Sequence, residues 1–137
     1  MATIAGAAEK VQDILGALTG IVAAPHEPPE GIFQTPFLVS YPKSGRCNTQ
    51  SNAWAINETT IVAALYVARV NLPSDYATAV PFIDVILNKL ASDTTLGGAV
   101  TGFTGPVTWE MHVETWADAK YLVIQFNIPI KQSPAVT

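Results

Sequence analysis

The side chains with chemical reach are few and scattered. Glu110, His112 and Glu114 stand at alternate positions. On a strand they would project from one face at intervals of ~7 Å. Such a row could hold a metal ion, but no second His or Cys is near in sequence to complete a set of the kind zinc draws on. The plainer reading is a solvated or subunit-facing strand face. Cys47, the single cysteine, could in principle pair with a histidine as a nucleophile. Neither His26, in a Pro-rich stretch, nor His112 is close to it in sequence. Gly97, Gly98, Gly102 and Gly105 form no phosphate loop, because no GKS or GKT follows and no apolar strand leads in. Ser40, Ser44 and Ser51 lie in no G-x-S-x-G elbow. The residue pattern therefore suggests no catalytic, cofactor-binding or metal-binding site.

The surrounding elements follow from periodicity. Ile4, Ala7, Val11, Ile14, Leu15, Leu18 and Val22 have helical spacing, so a helix is expected from about Thr3 to Val22. Gly6, Gly16 and Gly20 weaken it by about 1 kcal/mol each relative to Ala, so it holds by packing. Residues 23–36 carry Pro25, Pro28, Pro29 and Pro36, which predicts a Pro-rich, extended crossing. Phe37 to Tyr41 reads as a short strand stopped by Pro42, followed by a polar loop from Lys43 to Gln50. Asn52 to Asn57 and Thr60 to Val70 read as two strands turned at Asn57-Glu58-Thr59. The second is apolar on both faces and hence central.

Pro81 is placed in the first turn of a helix beginning near Ala79, after a separate turn at Asp75 to Thr78. Val80, Ile83, Ile86, Leu87 and Leu90 form that helix's buried stripe, and Gly97-Gly98 closes the region before a flexible loop to Gly105. Val107 to Glu114 and Leu122 to Ile130 alternate apolar and polar residues around a tight turn at Ala117 to Ala119, which predicts a hairpin. Residues 132–137 are expected to fray. The fold class is α+β: one domain over 1–137, mainly antiparallel sheet, with two helices packed on one face, in the order α-β-β-β-α-β-β.

Composition sets the function classes. The 137 residues are 49% hydrophobic and only 13% charged, about half the usual charge content. Disorder is excluded on that balance. The longest charge-free run, Thr94 to Trp109, is too rich in Gly and Thr to span a bilayer. The apolar run Ile14 to Ala24 has Glu9 and Asp13 where a signal peptide needs a basic flank, so no export is expected. Net charge is −4, pI is near 4.9, and the seven Lys and Arg form no stripe, which argues against nucleic-acid binding. A chain short of charge to coat its own surface is suited to self-association.

One resemblance covers nearly the whole chain. An N-terminal helix leads to the Pro-rich Ala24-Pro25-His26-Glu27-Pro28-Pro29-Glu30. Then come Phe33-Gln34-Thr35-Pro36-Phe37, a strand ending at Tyr41-Pro42, and Val67-Ala68-Arg69-Val70-Asn71-Leu72-Pro73. Next is a helix ending in Asp93-Thr94-Thr95-Leu96-Gly97-Gly98, and last a closing hairpin whose final strand opens at Tyr121-Leu122. This order resembles the tail terminator and minor tail proteins of long-tailed, siphovirus-type bacteriophages.

The resemblance implies a structural virion protein without cofactor or catalysis. It would form a hexameric ring that caps the tail tube, ends its polymerisation and offers a surface for joining the head. Its partners would be further copies of itself, the tail tube protein and the head–tail connector, with no membrane. It would be assembled in the host bacterial cytoplasm and found at the head-proximal end of the tail. A head-closure or neck protein is the alternative within that setting, and a small ligand-binding or hydrolytic domain the alternative outside it. A cyclic ring needs two different patches per subunit. Trp54, Tyr76, Phe103 and Trp116 are the candidates for them, being large apolar groups in or beside turns.

Overall fold

The structure is a computed structural model that describes residues 3–21, 35–50, 53–68, 72–116 and 118–132, with the backbone alone at 48–50, 53–56 and 72. Helix α1 (Ile4–Gly16) is followed by strands β1 (Phe37–Gln50) and β2 (Ala53–Ala68), helix α2 (Leu72–Ser92), and strands β3 (Gly102–Phe103), β4 (Thr108–Trp116) and β5 (Ala119–Gln132). All pairings are antiparallel: β1 with β2, β2 with β5, and both β3 and β4 with the far side of β5. Among the described residues, β1 and β4 are therefore the two long sheet edges.

Strand alternation builds two cores. Leu38, Ile61, Leu65, Ile124, Phe126, Ile128 and Ile130 face one side, where Val11 and Leu15 of α1 and Ile83, Ile86 and Leu90 of α2 close over them. Both helices thus lie on one face, as the α+β reading expects. Phe37, Val39, Val62, Tyr66, Tyr121 and Val123 make a second cluster on the opposite face. No described helix is long and apolar enough to cross a membrane.

Several elements depart from the sequence reading. Helix α1 stops at Gly16 instead of running to Val22, which lies outside the described residues. Gly20 has φ +98°, a left-handed backbone no α-helix accommodates. The N-terminus is set by Thr3, whose Oγ1 accepts a hydrogen bond from the Gly6 N–H at 2.9 Å. Strand β1 does not end at Pro42 but continues to Gln50 through the expected loop. A proline is tolerated on an edge strand, and a register shift between Pro42 and Ser44 absorbs the irregularity. Gly45 fits because the chains come close there: a Cβ on it would lie 2.7 Å from the Glu58 carbonyl oxygen.

Asn57-Glu58-Thr59 is not a turn but the middle of one long strand, β2. Its polar groups are used locally. Thr59 Oγ1 donates to Asn57 Oδ1 at 3.1 Å with both residues buried, and Glu58 pairs with Arg46 across the ladder. Helix α2 begins at Leu72, not near Ala79, and passes through Pro81 without breaking. The loop after α2 includes β3, tied to β5 by Thr101 N–H to Lys131 O at 2.9 Å and Thr104 N–H to Pro129 O at 3.0 Å. Gln132, placed in the frayed tail by its sequence position, is the 1%-exposed last residue of β5. The observed order is α-β-β-α-β-β-β. Two expected strands have merged into β2, and β3 is added after α2.

Candidate functional site

The β1–β2 hairpin outreaches the rest of the sheet. Strand β5 pairs with β2 only as far as Asn57, opposite Gln132. Beyond that point Ala53, Trp54 and Ile56 pair with β1 alone, opposite Gln50, Thr49 and Asn48. The outer end is thus a two-stranded ribbon among the described residues. Its β2 side reads Ala53-Trp54-Ala55-Ile56, four apolar residues in succession. A free ribbon of that kind is at best marginally stable in water without a third strand or a helix against it. The base of the arm is braced by Arg46 and Glu58, whose hydrogen-bonded contact raises the guanidinium pKa further. Residues 41–47 of β1 are all exposed.

The β4 edge carries a second exposed strip. Trp109 and Val113 are 46% and 48% exposed although they lie on the helix-bearing face, opposite Phe126 and Leu122 of β5. The cause is helix placement. Helix α1 packs mainly on β1, with some contact to β2, and α2 packs on β5 and β2, which leaves β4 at the margin. The other face of β4 is polar. His112 Nε2 lies 3.0 Å from Glu114 Oε1, and Tyr66 Oη donates to Glu114 Oε2 at 2.9 Å. Burial first, and the bond to Glu114 second, push the Tyr66 phenol well above its usual range. Glu110, His112 and Glu114 do share a face, as their spacing implies, but no metal-holding group of three His, Cys, Asp or Glu occurs among the described residues.

Cys47 lines a cleft of about 400 Å³ with Ile4, Lys43, Arg46 and Thr59. His112 is three strands away across the sheet, about 14 Å at the usual strand spacing. That separation precludes a Cys47–His112 nucleophile pair, and His26 lies outside the described residues.

The four candidate interface residues fall into different settings. Tyr76 is 55% exposed on α2. Phe103 packs partly against the main core. Trp116 turns onto its own domain, its ring centroid 5.0 Å from Tyr66 and 5.8 Å from Phe37. Trp54 sits in the arm, and its side chain lies outside the described residues. The structure does not gather them into one patch. Trp109 and Val113 were missed, because alternation assigns them to the buried side of the hairpin and says nothing of where the helices stop. No family model matches the chain, and no curated protein matches it.

Proposed function

We propose that this chain is a structural subunit of a bacteriophage tail, of the tail-terminator kind. Copies assemble into a ring, six by the family resemblance, which caps the tail tube, ends its growth and presents a surface for head joining. The observation that carries this reading is the apolar end of the β1–β2 hairpin, which extends past β5 with only two strands. Such an arm is suited to bury itself on a neighbouring subunit or on the tube. The low charge content supports the same conclusion. No catalytic step is assigned to the protein.

Tail length is the test. Particles assembled without this protein are expected to have overgrown tails or tails that fail to join heads. Tails of normal length that join heads normally would overturn the proposal. So would a purified subunit that binds the connector but not the tube, which would favour a head-closure role.

A further inference from the structure

We propose that the exposed edge of β4 receives the edge of β1 from the next copy of the chain, so that the sheet continues from subunit to subunit. The inference rests on the ring-forming reading and specifies its interface. Both edges lack a partner strand among the described residues, and unpaired edges of this length invite another strand.

Direction, charge and cover select the occupant. The strands β1, β2, β5 and β4 alternate in direction, so the two edges run opposite ways. A neighbour related by rotation about an axis along the strands therefore brings its β1 antiparallel to β4, and the whole sheet stays antiparallel. The β4 edge carries Glu110 and Glu114, whereas the β1 edge carries Lys43 and Arg46, both exposed. Arg46 and the two glutamates lie on the same face of the sheet, as their registers with Glu58, Gln125 and Tyr121 require. Pairing β4 with β4 in a two-fold dimer would set glutamates against glutamates, and pairing β1 with β1 would set cations against cations. Like charges across a contact disfavour both. Helix α1 sits over β1. A neighbour docked by β1 thus brings its own α1 beside the strip of Trp109 and Val113 that the subunit's two helices leave open. Contacts between two different edges are heterologous, the kind of contact from which a cyclic ring is built when the rotation between copies closes.

Two edge-blocked full-length variants test this. One carries Glu110→Lys with Val113→Lys, and the other Tyr41→Glu with Lys43→Glu, all at exposed positions. Circular dichroism should show each folded, and mass in solution is then read by analytical ultracentrifugation. The wild type should form rings. Each variant alone should be monomeric, and an equimolar mixture should associate again, since one intact β4 meets one intact β1. Dimers of the β1-blocked variant alone would show β4–β4 pairing and overturn the proposal. So would rings that survive in either variant, or a wild type that stays monomeric at millimolar concentration. Surviving rings would leave the tail-terminator reading intact, because that reading fails only on tail length or tube binding.

Discussion

Gln132 shows how much of the molecule's order depends on single polar groups. Its Nε2 donates to Thr3 O at 2.9 Å and Ala99 O at 3.1 Å, so it ties the start of α1 and the loop after α2 to the end of β5. Replacing it with Ala removes both bonds and opens a small void. The Thr3 carbonyl keeps its bond from the Ala7 N–H at 3.1 Å, and the buried Oε1 of Gln132, unpartnered among the described residues, goes too, so the cost falls mainly on the Ala99 carbonyl. A loss of about 1–2 kcal/mol in unfolding free energy is expected from urea titration. A loss under half a kilocalorie would mean that the tail end of β5 contributes little. Tyr66 gives a pH signature. Folding raises its phenol pKa, so the folded state holds a proton that the unfolded chain releases above about pH 10. The contribution is full below that pH and declines as pH rises toward the folded-state pKa. Tyr66→Phe should therefore lower stability at neutral pH and also flatten its decline above pH 10. An unchanged alkaline slope would sink this account. Neither role was legible in the sequence: Gln132 is a polar residue near the chain end, and Tyr66 one aromatic in an apolar run. What each does depends on partners 129, 33 and 48 positions away.

At the scale of elements, the parts read correctly are those whose periodicity meets no interruption. The closing hairpin β4–β5 alternates cleanly, and the structure pairs it from Thr108–Asn127 to Trp116–Ala119. The parts that differ are those where a polar or proline residue reads as punctuation in the sequence. Pro42 looked like a stop because its edge position, which excuses it, is a property of the assembled sheet. Asn57-Glu58-Thr59 looked like a turn because the bonds that occupy those side chains come from within β2 and from Arg46 of β1. Pro81 looked like a helix start, yet α2 carries nine residues before it. An interior proline removes a backbone hydrogen bond and crowds the carbonyl of Ala77. At this exposed site Pro81→Ala should therefore stabilise. The gain is up to about 3 kcal/mol of helix propensity, less about 0.4–1 kcal/mol for the freer unfolded chain, so about 2 kcal/mol net. Thermal unfolding would measure it, and a fall in Tm would mean that the proline fits a bend α2 requires. The turn after α2 makes the opposite point. Leu96 is fully buried at φ 51°, between the core and two left-handed glycines. The Leu-Gly-Gly step was visible in sequence, but its role as a core plug was not.

At the scale of the whole molecule, the question is which aromatic residues serve the fold and which remain for partners. The sequence offers three tryptophans and no means of ranking them, since exposure depends on where two helices end over a five-stranded sheet. The structure separates two of them. Trp116 lies against Tyr66 and Phe37 with edge-to-face geometry at interplanar angles of 67° and 85°. Aromatic pairs of this kind add about 0.5–1.5 kcal/mol each beyond the area they bury. Trp109 stands on the β4 edge with nearly half its surface in water. Trp116→Ala should therefore lower the unfolding free energy of the isolated subunit by about 2–4 kcal/mol, at or somewhat below the range for a fully buried Trp. Trp109→Ala should change it by under about 1 kcal/mol, as expected of a site that loses little packing. If the β4 edge is where copies meet, the order reverses for assembly. A well-covered interface Trp costs at least about 2 kcal/mol when truncated, roughly a thirty-fold weaker association. Denaturant unfolding and sedimentation of the same two variants supply both rankings. Equal effects on fold and assembly would mean that one surface serves both, and the β4 edge would lose its claim as the free side of the subunit.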